Sequence, residues 1–138
     1  MNIAFGTDEH TALTDAVRVD LEARGHTVVA VDDGHWVEVG HAVGEAVASG
    51  RCDTGVLFCW TGTGASMAAN KVPGVRAALC TDAATAAGAR TWNDANVLVM
   101  GLRLTSAEVA TEMLDAWFAT AVDPDEVEVI AGLEDRRG

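Results

Sequence analysis

The chain has 138 residues, of which 49% are hydrophobic, and a formal net charge of −12. This length and composition predict one globular domain over residues 1–138, long enough to bury a core but too short for two. The negative charge argues against nucleic acid or an anionic membrane as a partner, because phosphate groups would be repelled. No run approaches the roughly 18 apolar residues of a membrane span and no basic leader precedes Ile3, so we expect a cytoplasmic protein.

Five short apolar segments are typical of strands buried in a parallel sheet. They are residues 3–6, 27–31, 56–59, 75–80 and 97–100. Apolar residues at helical spacing fill the intervals, with Gly25 and Gly50 suited to end the first two helices and Asp82 and Ser106 suited to begin later ones. This alternation predicts a Rossmann-like three-layer α/β/α sandwich with a five-stranded parallel sheet and right-handed crossovers.

Residues 53–71 read as a strand, a tight glycine-rich loop and the start of a helix. Gly62 and Gly64 can both adopt positive φ, and Thr61, Thr63 and Ser66 carry hydroxyl donors. Backbone N–H groups and the helix dipole converge in such a loop, so it predicts a binding site for an oxyanion. The glycine spacing fits neither the dinucleotide fingerprint nor a Walker loop.

Cys59 ends the third predicted strand, at the sheet edge where open α/β folds place their chemistry. A thiol beside converging N–H donors is a candidate base or nucleophile, although a cysteine ending an apolar run is also commonly a small buried hydrophobe. The three cysteines, Cys52, Cys59 and Cys80, are odd in number and lack CxxC spacing, which argues against a disulfide framework or a zinc site. We interpret Cys52 and Cys80 as packing residues.

Other polar residues are expected near the same edge. Asp8, Glu9 and His10 follow the first predicted strand, and Glu38 lies near the start of the second helix. The segment 92–96 reads as a polar loop before the fifth strand.

Several motifs together resemble one known family, that of ribose-5-phosphate isomerase B and galactose-6-phosphate isomerase (RpiB/LacA/LacB). The matching residues run over nearly the whole chain: Cys59-x-Thr61-Gly62-x-Gly64, Ala68-Ala69-Asn70-Lys71, Gly74-x-Arg76-Ala77, Asn93-Asp94-x-Asn96-Val97-Leu98 and Gly101-x-Arg103. As an ordered set they are far more specific than a glycine loop alone.

The resemblance implies a metal-free, cofactor-free homodimer whose site is completed by the second subunit. It implies an aldose–ketose isomerase working through a cis-enediolate, with a thiolate at Cys59 moving the proton between C1 and C2. The enediolate oxygen would be held by the loop that contains Thr61, Gly62, Thr63, Gly64 and Ser66. By the same resemblance Asp8 and Asn93 would bind the sugar, Arg103 would bind phosphate, and Glu38 would stand in for an aspartate.

The chain also departs from the family pattern at the substrate end, as a divergent member would. Glu9 stands where a histidine is usual, with His10 next in line, and Trp92 replaces the ring-opening histidine. Trp60 replaces a small residue and must either narrow the pocket or stack on the sugar. The two C-terminal phosphate-binding arginines align near Val122 and Glu126.

Charge-assisted hydrogen bonds to phosphate are worth about 1.5–3 kcal/mol each, so losing two arginines without replacement should weaken phosphosugar binding by orders of magnitude. Arg103 remains, with Arg90, Arg136 and Arg137 as candidates to join it. We therefore expect a non-standard sugar phosphate as substrate. The alternatives are an unphosphorylated sugar, a tetrose that never closes to a ring, and a sugar-binding relative without turnover.

Overall fold

The computed structural model describes residues 1–134. Its strands are β1 (Asn2–Thr7), β2 (Thr27–Ala30), β3 (Thr54–Cys59), β4 (Ala77–Leu79) and β5 (Val97–Gly101). Its helices are α1 (Ala12–Ala23), α2 (Trp36–Ala48), α3 (Thr63–Asn70), α4 (Ala83–Asn93), α5 (Ala107–Ala119) and α6 (Val127–Glu134), the last preceded by a 3₁₀ turn at Pro124–Glu126. No helix within these residues is both long and apolar enough to cross a bilayer.

The five strands form one parallel sheet in the order β2-β1-β3-β5-β4. The register places Thr7 of β1 beside Phe58 of β3, and Cys59 beside Gly101 of β5. The ends of these three central strands therefore meet at the carboxyl edge of the sheet. The predicted Rossmann-like fold with a five-stranded parallel sheet is confirmed.

Alternate residues of each strand feed two separate cores, one on each face of the sheet. On one face Ile3, Phe58 and Met100 pack with Leu21 of α1 and Trp117 of α5. On the opposite face the packing of α2 and α3 is built on alanine, valine and leucine side chains. These include Ala4, Val39, Val43, Leu57, Ala65, Ala69 and Val99.

The chain leaves β1 and β3 toward opposite faces of the sheet, since α1 belongs to the first core and α3 to the second. Adjacent strands whose connections diverge in this way leave a crevice beyond their carboxyl ends. The topology therefore opens a crevice next to the end of β3.

Helix boundaries follow the predicted signals. The side chains of Asp82 and Ser106 accept hydrogen bonds from the first turns of α4 and α5. Gly25 and Gly50 take positive φ values of 91° and 80° just beyond α1 and α2. Trp117, interpreted from its helical stripe as a core or contact residue, is buried.

Two element boundaries predicted from the sequence are wrong. The fourth strand is shorter than 75–80, partly because the Arg76 N–H donates to the Asn96 side chain at 2.7 Å instead of to the sheet. The segment 92–96 is not all loop, because α4 continues through Trp92 and Asn93. That helix ends only where Asp94 turns left-handed, at φ 45°.

Candidate active site

A cavity of about 320 Å³ opens at the carboxyl edge of the sheet, in the crevice described above. Its walls come from the ends of β1 and β3, the loop that follows β3, and the first residues of α2 and α3. The lining residues are Asp8, Trp36, Cys59, Trp60, Thr61, Thr63 and Gly64. Five of the seven follow one another closely in the β3–α3 segment that the sequence analysis singled out.

Cys59 is the last residue of β3, and its main chain is held from the side by β5. Its carbonyl accepts a hydrogen bond from the Leu102 N–H at 2.9 Å. The residue is 5% exposed and packs against the core on the α2 side, yet it borders the cavity. Trp60, the next residue, lines the same cavity and is 54% exposed.

The N-terminus of α3 lies next to the carboxyl end of β3, and no side chain caps its backbone N–H groups. Gly62 precedes the helix in the left-handed region, at φ 79°, and no side chain caps it. The first turn of a helix has no internal acceptors for its N–H groups, so those of Thr63 and Gly64, which line the cavity, are available to an anion. The hydroxyls of Thr61 and Thr63 are 2.7 Å apart and form one hydrogen-bonded pair.

Ser66 stands apart from these donors. Its N–H already donates to the Gly62 carbonyl at 3.1 Å, as the first regular bond of the helix, and the residue is not among those lining the cavity. The helix N–H groups that border the cavity are therefore those of Thr63 and Gly64, which precede Ser66 in the first turn.

The two loop glycines are required for different reasons. Gly62 needs its positive φ, and a Cβ there would also meet Leu79 and come within 3.2 Å of the Gly101 nitrogen. Gly64 does not use the positive φ that is open to glycine, because it is an ordinary helical residue. It must be glycine because the Trp36 ring would lie 2.9 Å from a Cβ.

The residues predicted after β1 divide into two groups. Asp8 lines the cavity, as expected. Glu9 and His10 do not line it, because the Glu9 backbone is tied to the Thr7 hydroxyl and the His10 ring is 3.0 Å from a carboxylate oxygen of Asp33.

Trp92 and Asn93 lie at the opposite edge of the sheet. Both belong to the last turn of α4, just before β5 begins, and they border a separate surface groove along β4 and α4. Because β5 is five residues long, the two edges are about 15 Å apart. One chain therefore cannot bring these residues together with Cys59.

The basic residues considered for phosphate binding are also placed apart from the cavity. The Arg103 backbone donates to the Trp60 carbonyl at 2.9 Å, and its exposed side chain is not part of the lining. The Arg90 guanidinium is occupied by Asp94 and by the carbonyls of Ala95 and Thr120. Arg136 and Arg137 lie outside the described residues.

Glu38 is exposed in the first turn of α2, near Gly34, and does not line the cavity. Within residues 1–134, Asp8 is thus the one charged side chain of the lining, and no group of three or more His, Cys, Asp or Glu residues could hold a metal ion.

The other two cysteines are buried away from the cavity, in agreement with their interpretation as packing residues. Burial and the nearby Asp82 charge raise the pKa of the Cys80 thiol to about 11. This thiol is therefore protonated and unreactive near neutral pH.

Trp36 is the lining residue that the sequence analysis did not assign to the site. Its place in the sequence could have predicted this, because Trp36 follows the polar turn after β2 and so lies at the carboxyl edge of the sheet. A large aromatic residue at the start of a helix is equally typical of core packing, so the sequence alone did not assign Trp36 to the site.

The fold and this cavity define a class of protein, a Rossmann-like α/β protein with a thiol beside an uncapped helix N-terminus. Residues 3–130 match the family model described as Ribose/Galactose Isomerase. Ribose-5-phosphate isomerase B of Escherichia coli is 37% identical, over 98% of this chain and 97% of its own. The galactose-6-phosphate isomerase subunit LacB of Clostridium acetobutylicum is 38% identical, over 83% and 70%.

A third relative has a smaller sugar in its name. The D-erythrulose-4-phosphate isomerase of Pectobacterium atrosepticum is 33% identical, over 85% of this chain and 82% of its own. Among solved structures, ribose-5-phosphate isomerase B of Clostridium thermocellum superposes with a TM-score of 0.92 at 34% identity, over 98% and 96%. The chain belongs to the ribose/galactose isomerase family, and its enzyme class is that of the aldose–ketose isomerases.

Proposed function

We propose that this protein isomerises an open-chain aldose phosphate to the corresponding ketose phosphate, with Cys59 as the base. The observation that carries the proposal is that Cys59 and the uncapped start of α3 border the same cavity. Proton abstraction beside a carbonyl needs one base and donors aimed at the developing oxyanion.

In the proposed reaction the Cys59 thiolate removes the proton from C2 of the aldose. The electrons of the C2–H bond form the C1=C2 double bond, and negative charge develops on O1, where the N–H groups of Thr63 and Gly64 stabilise it. A proton passes from O2 to O1, for which Asp8 and Thr61 are the polar groups at hand. The Cys59 thiol returns its proton to C1, and O2 becomes the ketone.

We further propose that the working enzyme is a homodimer in which Trp92 and Asn93 complete the site of the partner subunit. Their separation from Cys59 within one chain supports this arrangement, since they lie at the other edge of the sheet. A twofold dimer that juxtaposes the two edges would give two equivalent sites.

The substrate class follows from what the site residues can do. Trp92 cannot accept a proton, so it cannot act as the base that opens a sugar ring. A four-carbon sugar phosphorylated at C4 lacks the hydroxyl that would close a five-membered ring and needs no such base. Relatives named for four-carbon, five-carbon and six-carbon phosphosugars occur in the family, so membership alone does not select among them. The tryptophan favours the four-carbon substrate.

An unphosphorylated sugar is the second candidate. It is favoured by the charge of the cavity, because Asp8 is the one charged lining side chain among the described residues. For a phosphorylated substrate, Arg103 or a cation of the partner subunit must supply the phosphate contact.

The test follows deuterium incorporation from D₂O at the carbon next to the carbonyl, by NMR, with D-erythrose 4-phosphate, D-ribose 5-phosphate and unphosphorylated D-erythrose. We expect exchange and ketose formation with D-erythrose 4-phosphate, and loss of both in Cys59→Ala. The matched control is Cys52→Ala, which removes a buried thiol away from the cavity. Turnover of the unphosphorylated sugar alone would favour the second candidate, and undiminished exchange in Cys59→Ala would overturn the proposed base.

A further inference from the structure

Trp36 lies in the cavity wall, although neither the proposed base nor the proposed N–H donors require a tryptophan there. It is the first residue of α2, its side chain borders the cavity, and its ring lies directly on Gly64 in the first turn of α3. That turn carries the N–H groups proposed to hold the enediolate oxygen. The ring therefore lies beside the place where the reacting end of the substrate would bind.

The helix that carries the ring packs tightly against α3, while the Trp36 residue itself is 43% exposed. A Cβ at Gly40 of α2 would stand 2.7 Å from the Cβ of Ala68 and 2.9 Å from the Ala65 carbonyl, so α2 and α3 approach each other as closely as glycine permits. Trp36 continues this tight contact at the end nearest the cavity. An indole has two side-chain torsions and no flexible tip, so a substrate can displace it only by changing its rotamer.

Trp60 supplies a second indole to the same lining, directly after Cys59. The C–H groups of a sugar pack well against flat aromatic faces, and a closed ring or a longer carbon chain takes more room between two such faces and the end of the cavity than a four-carbon chain does. The polar groups of the lining, the Asp8 carboxylate and the Thr61 and Thr63 hydroxyls, remain to orient the hydroxyl groups of the substrate.

We propose that Trp36 is the specificity-determining residue of this enzyme, limiting the site to acyclic four-carbon sugar phosphates. The inference rests on the proposed function and deepens it by assigning substrate length to one side chain. Trp36 acts by closing space rather than by chemistry, so removing it should admit longer substrates while leaving the base and the N–H donors in place. An added carbon in a confined pocket typically changes kcat/KM by about 10- to 200-fold.

The experiment measures kcat/KM of Trp36→Ala and Trp36→Phe for D-erythrose 4-phosphate and D-ribose 5-phosphate. We expect the five-carbon to four-carbon ratio to rise about tenfold or more in Trp36→Ala, with Trp36→Phe intermediate. The matched control is Val37→Ala, because Val37 is the exposed neighbour outside the lining and its removal should leave the ratio unchanged.

An unchanged ratio in a folded Trp36→Ala protein would overturn the inference while leaving the proposed function intact. Should Trp36→Ala fail to fold, the ratio in Trp36→Phe decides, and a wild-type value there would overturn it equally. A wild-type enzyme that turns over neither sugar phosphate would overturn the proposed function and the inference together.

Discussion

The indole nitrogen of Trp117 donates a hydrogen bond to the hydroxyl of Thr54 at 3.3 Å, inside the core at the amino edge of the sheet. The same hydroxyl donates to the Asn96 carbonyl at 2.9 Å. One threonine thereby links α5, the start of β3 and the residue before β5. This polar contact fixes the edge of the sheet opposite the cavity.

Replacing Thr54 with valine should destabilise the protein by about 1–3 kcal/mol, because the buried Trp117 N–H loses its acceptor. The Asn96 carbonyl keeps its bond from the Gly55 N–H, so the indole is the group left unsatisfied. Urea unfolding followed by far-UV circular dichroism measures the change. Thr54→Ser retains the hydroxyl and should lose less; equal losses in the two variants would contradict the role given to the hydrogen bond.

Asn70 should be a structural residue rather than a ligand. Its side chain donates to the Ala77 carbonyl at 3.0 Å and accepts from the Ala77 N–H at 2.8 Å, which ties the end of α3 to the start of β4. Asn70→Ala should cost about 1–3 kcal/mol of unfolding free energy. Lys71→Ala, at the exposed next position, should stay within about 0.5 kcal/mol of wild type. A stable Asn70→Ala protein that had lost substrate affinity would show that its role is in binding.

A site shared between subunits should show complementation. Cys59→Ala and Asn93→Ala would each be inactive alone, but a mixed dimer would contain one intact site, with Cys59 from one subunit and Asn93 from the other. Co-refolding equal amounts should restore about a quarter of the wild-type activity, since half of the dimers are mixed and each has one working site. The control mixes Cys59→Ala with Cys59→Ser. Both variants lack the Cys59 thiol, so their mixed dimers contain no intact site and should restore no activity. No recovery in the first mixture would contradict a site shared between the two subunits.

Thiol labelling should distinguish Cys59 from Cys80. Cys80 is fully buried and its pKa is raised to about 11, so only about 0.1% of it is thiolate at pH 8. Cys59 borders an open cavity. Iodoacetamide at pH 8 should therefore modify Cys59 first and abolish activity, as peptide mass spectrometry can follow. Raising the pH toward 11 increases the thiolate fraction of Cys80 and should speed its labelling. Faster labelling of Cys80 than of Cys59 at pH 8 would contradict the placement of Cys59 at the cavity.

The layered fold could be predicted because its signals are local. Strands of apolar residues, and capping residues such as Asp82 and Ser106, depend on their immediate neighbours in the chain. The strand order was not predicted. The insertion of β5 between β3 and β4 depends on which edges pair in three dimensions, and the apolar pattern of a strand is the same at either position.

The site was predictable where its residues adjoin in sequence and less so where they converge from distant segments. Cys59, Trp60 and Thr61 were found from one loop, and the structure brings all three to the cavity. Trp36 reaches the same cavity only through the packing of α2 on α3, and the need for glycine at position 64 follows from that contact rather than from its backbone angle. The roles assigned to these side chains in catalysis stay predictions.

The loop after Cys59 has no space behind it. A Cβ on Gly101 would lie 2.8 Å from the Thr61 carbonyl, and a Cβ on Gly62 would meet β5 and Leu79, so the main chain there is backed directly by neighbouring backbone. Such a loop cannot retreat to admit a bulkier ligand. Attempts to retarget this enzyme by mutagenesis should therefore leave residues 61–64 untouched and alter Trp36 and Trp60, the two tryptophans that line the cavity.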